Sequence, residues 1–232
     1  MIFPAPLIPG ELLRRYQRFL ADVRLADGSV VTAHCSNSGS MLQMCAPGSA
    51  VMLSPASNLS RRTRWDWQMI RVNGDWAGVN TAVPNLLLRE GFETGVVKEF
   101  QGYETIRMEV PYGQGSRVDA VLSGPSGQFY VEAKNVTLVE EGCARFPDAV
   151  TARGTKHLAD LADVVRSGGR AAMFFLVQRH DADRVGTAGR IDPVYASRLR
   201  EVRREGVEII AWRARVSPEG VFLECPLPFT EE

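Results

Sequence analysis

The stretch SRVDAVLSGPSGQFYVEAKN, Ser116 to Asn135, constrains the fold more than any other part of the chain. Two runs rich in valine and aromatic residues, RVDAVL and FYVEAKN, flank the turn cluster SGPSG, which predicts a β-hairpin. Side chains alternate across a strand, so Phe129, Val131 and Ala133 face one way and Tyr130, Glu132 and Lys134 the other. Taken alone, Glu-x-Lys on a strand is an ordinary solvated pair. Whether Asp119, Glu132 and Lys134 mean more depends on the elements around them.

Those elements change character near residue 82. Before it the chain reads as short strands. RFLADVRLA and SVVTAHC flank Asp27-Gly28, SAVMLSP is a third strand, and WDWQMIRV and DWAGVN flank Asn73-Gly74. Asp-Gly and Asn-Gly are strong two-residue hairpin turns. Five short strands with little helix predict a small barrel of the oligonucleotide/oligosaccharide-binding (OB) type over residues 1–82. From residue 83 the pattern is mixed. TAVPNLLLREGF reads as a helix that Gly91 or Gly95 can stop, and ETIRMEVPYG as a strand leading into the hairpin. VTLVEEGCARFPDAV reads as a loop, and Thr155 as the cap of the helix KHLADLADVVRS. RAAMFFLVQR, almost wholly apolar, reads as a strand buried on both faces. Asp192-Pro193 opens another helix, Gly206 closes it, and VEIIAWRARV is the last strand. Residues 83–232 thus form a second domain.

Composition excludes little. Net charge is zero and 45% of residues are hydrophobic, as in an ordinary globular chain. Charge is unevenly spread: residues 1–82 hold eight arginines against five acids, with Arg61, Arg62 and Arg64 clustered. That favours a polyanion on the N-terminal side. The chain has 24 arginines and three lysines, so a lysine at position 134 stands out. Cys35, Cys45, Cys143 and Cys225 form no C-x-x-C pair, and a zinc site from His34, Cys35 and Cys45 has poor spacing. With no signal peptide and no apolar run of membrane length, the chain is expected to be cytoplasmic, with reduced thiols and no membrane partner.

The order helix, strand, strand, strand, helix, strand over residues 83–180 resembles the core of the restriction-endonuclease-like PD-(D/E)-x-K nucleases. In that family an acid on the second strand joins an acid-x-Lys pair on the third. Asp119 and Glu132-x-Lys134 stand at those places, and Glu90 on the first helix stands where a further acid often joins them. The chemistry suits these residue types. Two convergent carboxylates can hold Mg²⁺ (or Mn²⁺), a hard cation that prefers oxygen ligands. Such an ion lowers the pKa of water and stabilises a leaving oxygen, while an ammonium neutralises charge on the phosphate. Asp119 and Glu132 are the expected metal ligands, with the main-chain carbonyl of Ala133 as a third, and Glu90 is expected to hold a second metal or a water. Lys134 is the expected cation, and Gln178 a candidate hydrogen-bond donor to the scissile phosphate.

The whole chain resembles the sugar fermentation stimulation protein family. RFLADV (18–23), HCSNSGSM (34–41), GVNTAVPN (78–85), SRVDAVL (116–122), YVEAKNVTL (130–138), FPDAVTARGTKHL (146–158) and IDPVYA (191–196) carry the resemblance, in that order. It implies an N-terminal OB-like domain, a nuclease-like C-terminal domain, DNA binding, and a role in regulating sugar, especially maltose, utilisation. Arg153, Lys156 and His157, at the start of the helix after the acid-x-Lys strand, suit a phosphate. Trp65, Trp67 and Trp76 are candidate stacking platforms, or else core. Nucleic acid, with DNA first, is the expected partner, and homo-oligomerisation stays open. The competing reading is a DNA-binding regulator that keeps a nuclease-like core without using it. A third is a metal-assisted hydrolase of another phosphorylated substrate.

Overall fold

The computed structural model describes residues 1–58, 60–113 and 115–231. Its N-terminal part is a β-barrel of β1 (Ile8–Tyr16), β2 (Leu20–Leu25), β3 (Val30–His34), β4 (Ala50–Pro55) and β5 (Trp65–Val72), with β6 (Asp75–Gly78) added as a hairpin to β5. The order is β3-β2-β1-β4-β5-β6, and a β3–β5 pairing closes the barrel. Closure removes the exposed edges of an open sheet. The Asp27-Gly28 and Asn73-Gly74 turns lie where expected, with Gly28 at φ +83° and Gly74 at φ +90°. The interior is filled by Leu12, Val23, Ala33, Val51, Leu53 and Trp67 among others.

β1 is a strand the sequence reading did not contain. It pairs with both β2 and β4, so the barrel depends on it.

The C-terminal part begins with α1 (Val83–Glu93) and a 3₁₀ turn at Lys98–Phe100. The hairpin strands follow: β7 (Thr105–Tyr112), β8 (Ser116–Gly124) and β9 (Gly127–Val136). Next come a short hairpin, β10 (Leu138–Glu140) and β11 (Cys143–Phe146), then α2 (Ala152–Arg166) and β12 (Arg170–Val177). The chain ends with β13 (Arg184–Thr187), α3 (Pro193–Glu205), β14 (Glu208–Ser217), β15 (Gly220–Pro226) and β16 (Phe229–Thr230). The main sheet runs β15-β14-β12-β9-β8-β7, with β9, β12 and β14 parallel.

The central strand β12 is buried on both faces, as its composition requires. One face packs under α1, where Leu87 and Leu88 meet Phe129, Phe174 and Leu176. The other packs under α2 and α3, where Leu158 and Leu161 meet Met173, Phe175 and Leu199. Met1 and Phe3 also pack on the α1 face.

Several expectations need correction. The segment read as a loop after Asn135 holds β10 and β11, turned by Glu141 and Gly142 in left-handed conformation. VEIIAWRARV is not the last strand, since β15 and β16 follow it. α2 is capped by Thr151, whose hydroxyl accepts the Gly154 N–H at 3.0 Å, and Thr155 lies one turn inside. Cys35 is buried against Met41 Sδ, while His34 faces Asp66 from the next position along the chain.

Candidate active site

The β8–β9 ladder stops at the pair Ala120–Val131. Beyond it the two strands fork, and the Asp119 carboxylate fills the gap. Asp119 Oδ2 accepts the Ala133 N–H at 2.7 Å, a bond that a β8 carbonyl would otherwise take. The N–H and C=O of one strand residue point to the same side, so the Ala133 carbonyl faces this fork too. Asp119 Oδ1 accepts from Asn85 Nδ2 at 2.9 Å, and the same amide reaches Glu109 Oε1 at 3.0 Å. Glu109 sits at φ +55°, an uncommon conformation for a side chain of its size, directly beside this cluster.

Glu132 is almost wholly buried, 2% exposed. Its Oε1 receives Lys134 Nζ at 2.6 Å and contacts His157 Nδ1. Arg153 Nε donates to His157 Nε2 at 3.3 Å. A ring nitrogen that accepts carries no proton, so this geometry puts the imidazole proton on Nδ1, aimed at Glu132. Glu132 Oε2 is buried and has no hydrogen-bond partner among the described residues.

Electrostatics separate the two acids. Burial pushes the Asp119 carboxyl above its ordinary value, and the nearby Glu132 charge adds to this against Lys134, Asn85 and the Ala133 N–H. Burial pushes Glu132 the same way, but the His157 hydrogen bond and the Lys134 charge outweigh it and hold its carboxyl below the usual range.

These groups line one polar cleft of about 490 Å³. Its walls come from both parts of the chain: Ser36–Gly39 from the barrel, Thr81 to Asn85 at the start of α1, and Arg145, Asp148 and Arg153.

A divalent metal fits this donor set. Asp119, Ala133 with its main-chain carbonyl, and Glu132 with its orphaned Oε2 line the same cleft and offer hard oxygen donors, which suits an ion that keeps several waters. Among the described residues no group of three or more His, Cys, Asp or Glu side chains is arranged to hold a metal, so a main-chain oxygen and water must complete the shell.

Glu90 is not part of the cleft. Its carboxylate pairs with the Met1 ammonium. It lies five residues beyond Asn85, about 140° around the helix, so the two face different surroundings. Asn85 takes the place on α1 that was expected of Glu90. Gln178 is fully buried at the joint with the barrel, where its Nε2 donates to the Asn80 carbonyl and Asn135 Oδ1, out of reach of a phosphate. Gly78 is required there: a Cβ would come within 2.0 Å of Gln178 Oε1. Lys156 turns to Ser116 and Asp160, outside the cleft.

On the barrel, Trp67 is core, which leaves it no stacking role. Arg61 is tied to Asp66 at 2.6 Å. Arg62, Arg64 and Trp65 line a separate groove with Tyr16, Leu20 and Thr32.

The sequence reading gave Asn85, Glu109 and the loop Ser36–Gly39 no part in the site, and gave His157 a phosphate instead of Glu132. His157 carried one signal: it shares the buried side of α2 with Gly154, Leu158 and Leu161, where a solvated phosphate ligand would not lie.

The family model for the sugar fermentation stimulation protein RE domain matches residues 82–220, and that for the SfsA N-terminal OB domain matches residues 13–79. The chain belongs to the sugar fermentation stimulation protein family. A sugar fermentation stimulation protein homolog of Geobacter sulfurreducens is 58% identical over 98% of both chains. One from Paramagnetospirillum magneticum is 50% identical over 98% of this chain and 97% of its own. Among solved structures, Pyrococcus furiosus SfsA in complex with Ca²⁺ superposes with a TM-score of 0.91 at 27% identity, covering 99% of this chain and 98% of that one. Both halves of this chain, barrel and nuclease-like core, are therefore family features.

Proposed function

We propose that this protein binds DNA and hydrolyses its phosphodiester bonds with Mg²⁺ or Mn²⁺ at the cleft of Asp119, Glu132 and Lys134. The observation that carries the reading is a buried carboxylate with an orphaned oxygen, Glu132, next to the half-buried Asp119 and a lysine in a polar cleft. A buried carboxylate oxygen without a partner is costly unless a cation or donor meets it. The Ca²⁺ held by the Pyrococcus furiosus relative supports a divalent ion in this family.

The bound ion would polarise the phosphate and raise the acidity of a water. The chain's own groups do the rest. Asp119 and Glu132 would hold the ion with the Ala133 carbonyl. Lys134, 17% exposed and anchored to Glu132, presents its ammonium at the cleft, where it offsets charge gathering on the phosphate in the transition state. His157 keeps the Glu132 carboxylate oriented, and Arg153 completes the cleft with a cation for a neighbouring phosphate. Asn85 fixes Asp119 from the other side.

The regulation of sugar, especially maltose, utilisation that the family name evokes would rest on this DNA binding, in the cytoplasm. The barrel of residues 1–82 would supply affinity and residues 83–232 the chemistry.

The test is cleavage of end-labelled DNA with Mg²⁺ or Mn²⁺, with Glu132→Ala as control. Metal-dependent cleavage lost in the variant supports a hydrolase. DNA binding with no cleavage under any metal points instead to a regulator that keeps the core without using it.

A further inference from the structure

We infer that the cleft takes a single strand of DNA, delivered from the barrel groove, and excludes continuous duplex. This rests on the hydrolase reading above and concerns which form of DNA that site admits. The decisive feature is the barrel loop Ser36–Met41, which follows β3 and forms the wall of the cleft contributed by the barrel. A phosphate on a duplex is reached from an open face. Here the barrel loop stands along one side of that face and narrows it to a half-open cleft of about 490 Å³, the size of a small-ligand pocket.

The wall is tied down and not a gate. Arg15 Nη2 donates to the carbonyls of Arg18, Asn37 and Gly39, each at 2.9 Å. Arg18 Nη2 holds the Ser38 carbonyl at 2.6 Å. These two arginines, among the eight that make the N-terminal part basic, are spent on the loop's backbone. From the other domain, Asp148 accepts the Met41 N–H at 2.9 Å, and Ser40 Oγ donates to the Asp148 carbonyl at 2.6 Å. Thr81 adds a bond to the Ser36 hydroxyl at 3.1 Å. Gly39 lies so close that a Cβ would stand 2.8 Å from Asp148 Oδ1.

The same strand links this wall to the barrel groove. Val31 and Thr32 of β3 line the groove, and Ser36 lines the cleft. At ~3.3 Å per residue the two are about 13 Å apart, a span of a few nucleotides. The groove holds Tyr16 and Trp65 with the exposed cations Arg62 and Arg64. Aromatic faces with adjacent cations bind unpaired bases regardless of sequence, and a paired base has no free face to offer them.

The experiment uses the full chain. In Ca²⁺, fluorescence polarisation gives the Kd for a labelled 15-nucleotide single strand, for the same sequence as a blunt duplex, and for the matching single-stranded RNA. Mg²⁺ or Mn²⁺ cleavage of the same probes runs in parallel. The single strand is expected to bind at least tenfold tighter than duplex. Trp65→Ala is expected to weaken it at least fivefold, and Arg62→Glu, at an exposed position that does not threaten folding, at least threefold. A duplex Kd equal to or tighter than the single-strand Kd, or no binding of either, overturns the inference, as does single-strand binding unchanged in both variants. RNA bound tenfold tighter than DNA overturns the choice of DNA. Preferred single-strand binding without cleavage in any metal sinks the hydrolase reading alone and leaves the strand preference standing.

Discussion

Removing the His157 imidazole should take a hydrogen-bond donor from the buried Glu132 carboxylate and leave Lys134 to hold it alone, and the cost can be worked from the contacts. The Glu132 side chain is 2% exposed and that of His157 6%, so water cannot replace the lost donor. A hydrogen bond to a buried charged group contributes about 1.5–3 kcal/mol, and truncating a buried ring to alanine costs about 3–5 kcal/mol in all. His157→Ala is therefore expected to cost about 4 kcal/mol. Glu132→Gln removes the charge first, so His157→Ala in that background should cost about 2 kcal/mol less, which is the coupling energy of the pair. Urea unfolding of wild type, both single variants and the double variant, in EDTA and with unchanged m, measures this directly. For a chain of this size about 4 kcal/mol also lowers Tm by roughly 10 °C. His157→Gln, which keeps a donor, should recover part of the loss. A coupling below about 0.5 kcal/mol would refute the claim that His157 holds Glu132.

Asp181 binds the buried Arg179 guanidinium, whose Nε lies 2.8 Å from Oδ1, and this bond chiefly holds the Asp181 carboxyl below its ordinary value. Its stabilising effect is thus present above the unfolded pKa of about 3.9 and fades as pH falls through the lower folded value. Asp181→Asn should be less stable than wild type at pH 7, with the gap closing below about pH 4 in denaturation curves; a gap that widens in acid would contradict it. Replacing Arg62 and Arg64 with alanine should make the log–log salt dependence of single-strand binding shallower by about 1.4, since each phosphate contact contributes about 0.7. An unchanged slope removes both from the interface. Glu90→Gln loses only the contact with the Met1 ammonium, so metal affinity by calorimetry should stay within twofold of wild type, and a tenfold loss would restore Glu90 to the site. Gly39→Ala forces the loop off Asp148 and should lower cleavage at least tenfold while far-ultraviolet circular dichroism stays unchanged.

Much of the site was legible because β-strand parity is local. The period of FYVEAKN alone put Glu132 and Lys134 on one face, and the turn SGPSG brought Asp119 alongside. The barrel was legible through Asp27-Gly28 and Asn73-Gly74, whose turn chemistry depends on two residues each. β1 was hidden because Pro9-Gly10 and Arg14-Arg15 break the alternation of IPGELLRRY, and only pairing with β2 and β4 makes it a strand. β10 and β11 span three and four residues, too short for a period to show. Glu90 misled because sequence gives the helix but not its rotation against the sheet. The role of the loop Ser36–Gly39 was hidden because it depends on a domain contact more than a hundred residues away, at Asp148. Gln178 ends a core strand, and nothing local shows that the barrel covers it.

The most direct test of the central claim is Mn²⁺ in crystals of the full chain, located by anomalous scattering. The account predicts one strong peak about 2.0–2.3 Å from an Asp119 oxygen, Glu132 Oε2 and the Ala133 carbonyl, absent in Asp119→Ala. No peak at this cleft at millimolar Mn²⁺, or a peak ligated elsewhere, would contradict it.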